Sequence, residues 1–119
     1  MKFALVTLHV KDMQKSITFY NNLLEIPIVR RQPAGPDSEM VFFGKADEAQ
    51  LELVPSDTNI SYSGFSIGFE VDSLATIKER LASNGYNIKN EFSPVPTTTL
   101  CFLDGPNGEE VELIEYKKL

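Results

Sequence analysis

The segment LELV at residues 51–54 returns as VELI at 111–114, each copy placing one glutamate between apolar neighbours. The register around the two copies is also kept: Val10 and Val71 are 61 residues apart, and Glu52 and Glu112 are 60 apart. Duplicated units separated by one small insertion or deletion produce such a one-residue slip. A chain written this way folds as two similar units with the same order of elements.

Period and turn chemistry give that order. ALVTLHV at 4–10 is a β-branched apolar run suited to a strand covered on one face. Asp12 then caps a helix whose Met13, Ile17, Tyr20 and Leu24 recur at helical spacing, with Lys15 where a capping box would want Glu. IPIVRRQ at 26–32, MVFFG at 40–44 and AQLELVP at 49–55 supply three more strands, the first two separated by the turn-rich 33–39. The polar stretch 56–64 reads as a linker.

After it the order repeats. FSIGFEV at 65–71 alternates with period two, and Asp72 or Ser73 caps a helix carrying Leu74, Ile77 and Leu81 on one face. SNG at 83–85 ends that helix, and YNIKNEF (86–92), TTLCFLDG (98–105) and EEVELIEY (109–116) complete the unit. The expected fold is α+β: two βαβββ units, about 1–57 and 64–119, within a single domain spanning 1–119.

Alternation sorts each strand into two faces. Ala4, Val6, Leu8 and Val10 oppose Leu5, Thr7 and His9; Phe65, Ile67, Phe69 and Val71 oppose Ser66, Gly68 and Glu70. Leu51 and Leu53 oppose Gln50, Glu52 and Val54, while Val111 and Leu113 oppose Glu110, Glu112, Ile114 and Tyr116. The large apolar faces are expected to pack on the helices, and the mixed faces to line a shared concavity in which Glu52 and Glu112 approach each other.

Charge and composition narrow the partners. Eleven Lys and Arg against seventeen Asp and Glu leave a net charge of -6 with no basic stripe, which argues against nucleic acid and anionic membrane. The opening MKFALVTLHVKD is too short in apolar residues for a secretory signal, and no window reaches the ~20 apolar residues of a membrane span. Cys101 is the only cysteine, so no internal disulfide forms, and a cytoplasmic location is expected. It sits in an apolar strand and reads as an inert buried thiol.

LHVKDMQKSITFY, FEVDSLATIKERL and DGPNGEEVELIE, in that order and spacing, resemble the vicinal oxygen chelate superfamily, which includes glyoxalase I, bleomycin-resistance proteins, fosfomycin-resistance enzymes and extradiol dioxygenases. The resemblance covers essentially the whole chain. It implies paired βαβββ units forming an open cup-like sheet with helices on the outer face, a homodimer, and, in metal-using members, one ligand from each of four inner strands. Carried over, the two glutamate positions match Glu52 and Glu112, while the two positions often held by His match Leu5 and Ser66.

Two carboxylates and a serine hydroxyl make a poor set for Ni or Zn, so no metal site and no cofactor are expected; Mg or Mn held weakly by Glu52 and Glu112 is the alternative. His9 lies roughly 13 Å along the strand from Leu5, at about 3.3 Å per residue, and does not replace the missing ligand. It is a candidate to contact a ligand or to pair with Glu70, its counterpart in the repeat. Phe42, Phe43, Tyr62, Phe92 and Tyr116 are candidates to stack on a flat molecule, as aromatic walls do in drug-sequestering relatives.

Two functions compete. The first is a metal-independent protein that binds or sequesters a small organic molecule, contacted by His9, Phe43, Glu52, Ser66, Glu70, Glu112 and Tyr116; the acidic balance favours a cationic ligand. The second is a glyoxalase-type lyase or isomerase, or a dioxygenase-like metalloenzyme, with Glu112 or Glu52 as catalytic base. A purely structural dimerisation module fits the polar inner face less well.

Overall fold

The computed structural model describes residues 1–117, and the chain divides into two compact units, one ending at Ile60 and the other beginning at Ser61. The first unit contains β1 (Leu5–Val10), α1 (Met13–Ile17), β2 (Ile28–Pro33), β3 (Glu39–Phe43) and β4 (Gln50–Pro55). The second contains β5 (Ser66–Glu70), α2 (Leu74–Ser83), β6 (Asn90–Val95), β7 (Thr98–Asp104) and β8 (Glu110–Tyr116). Their sheets are ordered β1-β4-β3-β2 and β5-β8-β7-β6, so the repeat in sequence is a repeat in topology. In each, the first strand runs parallel to the last and the other pairs are antiparallel.

The core of each unit lies between its sheet and its helix. In the first, Leu8, Val10, Val41, Phe43, Leu51 and Leu53 are buried with Ile17, Phe19 and Tyr20 from the helical segment. In the second, Cys101, Leu103, Val111 and Leu113 are buried with Leu74, Ile77 and Leu81 of α2. Period-two strands and one apolar helical stripe account for both sets apart from Phe19.

The helix caps explain where the helices start. Asp12 accepts a hydrogen bond from the Lys15 backbone N–H at 3.0 Å, and Ser73, rather than Asp72, accepts one from Thr76 N–H at 3.3 Å. Glu115 of β8 adds a tertiary cap, its Oε1 accepting from Leu74 N–H at 2.8 Å. A carboxylate at that end is also favoured by the helix dipole.

Two elements differ from the sequence reading. The first helix is not one regular α-helix: after Ile17 it widens into a π-helical stretch, Thr18–Leu23. The wider turn brings both Phe19 and Tyr20 inside, in edge-to-face contact at 4.9 Å, where a regular α-helical stripe would favour Tyr20 alone. It ends with Glu25 in the left-handed conformation (φ 58°), a position usually given to glycine.

The strand expected at 86–92 also sits later, at Asn90–Val95. Tyr86 N–H closes α2 on Leu81 O at 2.9 Å, and sheet pairing begins only at Lys89 N–H to Phe102 O, 2.8 Å. β6 tolerates Pro94 because it is an edge strand with a register shift between Phe92 and Val95.

Candidate functional site

On the sheet face away from the helix, the first unit carries a row of side chains, one per strand. Thr7 is registered opposite Glu52, Glu52 opposite Phe42, and Phe42 opposite Arg30. Thr7 Oγ1 donates to Glu52 Oε1 at 2.6 Å, so this half-buried carboxylate has an internal donor. The Arg30 guanidinium lies over the Phe42 ring, 3.9 Å from its centroid, and donates to Gln32 Oε1 at 3.3 Å.

The second unit repeats the row with different chemistry. Gly68 is opposite Glu112, Glu112 opposite Phe102, and Phe102 opposite Asn90. Phe102 stacks nearly parallel to Phe92, with centroids 6.2 Å apart and 15° between planes. Gly68 supplies no hydroxyl, and among the described residues no hydrogen-bond donor reaches the half-buried Glu112 carboxylate.

The expected ligand contacts separate on this frame. Glu52 and Glu112 occupy the centres of the two rows. His9, Ser66 and Glu70 are exposed on the same strand faces as Thr7 or Gly68, and Tyr116 is exposed at the end of β8. Ser66 also borders an open depression of about 500 Å³ with Tyr62, Phe65, Lys89, Asp104 and Glu110. Lys89 bridges Asp104 (2.8 Å) and Glu110 (3.3 Å) there, and these acidic partners raise its pKa.

Phe43 is different: it is 1% exposed and packs toward Tyr20 with centroids 6.0 Å apart. Alternation puts it on the helix side, whereas its neighbour Phe42 stands opposite Glu52 and is itself 2% exposed, with the Arg30 guanidinium over its ring. Arg30, Thr7, Gly68 and Phe102 complete these rows without residue type alone marking them. The 60-residue offset that pairs the glutamates also pairs Phe42 with Phe102 and Arg30 with Asn90, and that signal was present in the sequence.

Cys101 is fully buried, and burial pushes its thiol up to about 11, with Glu91 adding to the effect and Lys78 opposing it. The thiolate needed for nucleophilic chemistry is therefore suppressed.

At the four places where the resemblance expects metal ligands the sequence has Leu5, Glu52, Ser66 and Glu112. Leucine offers no donor atom, serine is a weak ligand, and Glu52 is engaged by Thr7. Among the described residues no group of three or more His, Cys, Asp or Glu converges as a metal site. These side chains do not fit the metal that the fold family implies.

The profile of the Glyoxalase/Bleomycin resistance protein/Dioxygenase superfamily matches residues 2–113, and the chain belongs to that superfamily. It is 30% identical to the lactoylglutathione lyase of Salmonella typhimurium over 98% of this chain and 94% of the relative. Among solved structures, it resembles glyoxalase I of Leishmania major with a TM-score of 0.78 and 21% identity, covering 97% of this chain and 86% of the other. An antibiotic binding protein from a Streptomyces species, TnmS3, superposes with a TM-score of 0.72 and 18% identity over 98% and 97% of the two chains. The last two likenesses establish a shared fold.

Proposed function

We propose that this protein binds a small organic molecule on the faces carrying Glu52 and Glu112, without a metal ion. The donor set carries the reading: leucine and serine stand at two of the four ligand places, leaving two carboxylates. The half-buried Glu52 and Glu112, with the half-buried Phe102 beside Glu112, suit an organic ligand. The reading includes a cytoplasmic homodimer, for which the exposed Phe3, Phe65 and Val95 offer apolar surface; light scattering tests the oligomeric state.

Thermal unfolding of chelator-stripped protein with Mn, Fe, Ni, Zn or Mg tests the metal. Binding to the native state alone raises the melting temperature by mass action. The expected result is no rise that depends on the glutamates. A rise of several degrees that disappears in Glu52→Gln/Glu112→Gln overturns the metal-free reading.

The identity to lactoylglutathione lyase over nearly the whole chain favours a second reading, a glyoxalase-type enzyme with Glu112 or Glu52 as base. It predicts lactoylglutathione lyase turnover that falls at least a hundredfold in Glu112→Gln. Absence of turnover with and without each metal refutes it.

A further inference from the structure

Glu52 and Glu112 occupy the same place in two copies of one strand pair, so each serves as a control for the other. In the first unit the residue opposite the carboxylate is Thr7, and its hydroxyl donates to Glu52 at 2.6 Å. In the second unit that place is Gly68, with no side chain to donate. Among the described residues, none donates to Glu112. A seat filled by an internal donor in one copy is thus vacant of side chain in the other.

The surroundings of that seat have a definite chemistry. A Cβ built on Gly68 would lie 3.7 Å from Glu112 Oε2 and 3.5 Å from Ile114 Cδ1, so the space is bounded by a carboxylate and a methyl group. Beyond Glu112 stand Phe102, its cross-strand neighbour, and Phe92, stacked on Phe102 and 45% exposed. The two nearly parallel rings form an apolar platform whose faces also attract cations.

We propose that Gly68, Glu112, Phe92 and Phe102 form a subsite for a flat organic cation: its protonated nitrogen enters above Gly68 and donates to Glu112, replacing the threonine hydroxyl of the first unit, while its ring lies along the phenylalanine platform. This rests on the metal-free binding reading above and gives it a ligand class. A half-buried carboxylate without an internal donor gains more from an N–H⁺ partner than from a neutral one, because attraction between opposite charges, less screened there than in bulk water, adds to the hydrogen bond. A ligand anion would meet Glu112 with like charge.

The test uses the full chain, stripped of metal with chelator, and two fluorescent tricyclic probes: proflavine, a flat cation, and fluorescein, a flat anion. Anisotropy titrations are expected to show saturable binding of proflavine at least tenfold tighter than of fluorescein. Glu112→Gln is expected to weaken proflavine at least tenfold, since the amide keeps the size of the side chain but not its charge. Gly68→Thr, which installs the first unit's donor, is expected to weaken it by a similar factor while far-ultraviolet circular dichroism stays unchanged. Should Gly68→Thr fail to fold, Gly68→Ala narrows the same seat through contacts of ordinary van der Waals length.

The inference is overturned by proflavine affinity that is indifferent to either substitution, by fluorescein binding as tightly as proflavine, or by no proflavine binding. Tight fluorescein binding to the metal-free protein would sink the cation assignment alone and leave metal-free ligand binding standing. A glutamate-dependent metal stabilisation would instead sink the reading beneath it.

Discussion

Replacing Gly105 by alanine should be severe for a reason that lies four residues away. A Cβ at Gly105 would sit 2.6 Å from Glu109 Cδ, 2.7 Å from Oε1 and 3.0 Å from Oε2, all well inside contact distance. Glu109 does not swing clear at low cost, because it is fully buried and its carboxylate accepts Asn107 N–H at 2.7 Å and Asn107 Nδ2 at 3.0 Å. Hydrogen bonds to a charged group are worth about 1.5–3 kcal/mol each, so displacing the carboxylate enough to lose the better one puts Gly105→Ala near ~3 kcal/mol. In a Glu109→Ala background the obstacle is gone. Gly105 is not in the left-handed region, so there the same substitution should be neutral or stabilise by about 0.5 kcal/mol through the unfolded chain. Urea unfolding of the four proteins of this cycle, read by circular dichroism, should give a coupling of about 3 kcal/mol. An equal cost of Gly105→Ala in both backgrounds would refute the interlock.

Other outcomes follow from single sites. Glu25→Gly should raise stability by about 1 kcal/mol in urea unfolding, since it relieves a left-handed non-glycine residue at a helix end; a loss would mean that Glu25 makes contacts worth more than the strain. Ser73→Ala and Glu115→Gln should each cost about 1 kcal/mol, because each removes or weakens an acceptor at the start of α2. Cys101 has a folded pKa of about 11 against 9.0 for an unperturbed thiol, so above pH 9 the unfolded chain sheds a proton that the folded one keeps. Its contribution is therefore intact below pH 9 and is lost as pH rises to about 11, up to ~2.5 kcal/mol at 1.36 kcal/mol per pH unit. Stability measured from pH 8 to 11 should fall more steeply in the wild type than in Cys101→Ala, and equal slopes would remove the thiol as the cause.

The duplicated βαβββ order was legible because strand alternation and the two Glu-centred strands carry it directly, and Glu52 and Glu112 followed from the same arithmetic. The π-helical widening after Ile17 was not legible, since one inserted residue in a turn leaves the apolar spacing of Ile17, Tyr20 and Leu24 nearly intact. β6 begins later than the strand-like Tyr86 and Ile88 suggest, because Tyr86 is used to close α2. Phe42 and Phe43 are equivalent in composition and both buried; only cross-strand register, which sets Phe42 opposite Glu52 and Phe43 opposite Leu51, assigns them to opposite faces. The Thr7–Glu52 bond and its absence at Gly68 depend on cross-strand register, which becomes definite only when the strands are paired.

Gly68 is the residue at which fold and ligand recognition make opposite demands. Glycine inside a strand sacrifices conformational entropy and packing, at about 0.5–1 kcal/mol relative to alanine. Backbone conformation does not require it, for its φ lies outside the left-handed region occupied by Gly35, Gly44, Gly64, Gly85 and Gly108. Packing does not require it either, since an added Cβ would meet its neighbours at 3.5 Å and 3.7 Å, ordinary contact distances. The fold of the second unit alone therefore favours a larger residue, as the first unit has in Thr7. Gly68→Ala should stabilise the protein by about 0.5–1 kcal/mol in urea while weakening proflavine binding, a trade expected where a site retains space for a ligand at the expense of stability. If Gly68→Ala instead destabilises, the glycine serves the strand itself, and the vacant seat beside Glu112 loses its functional explanation.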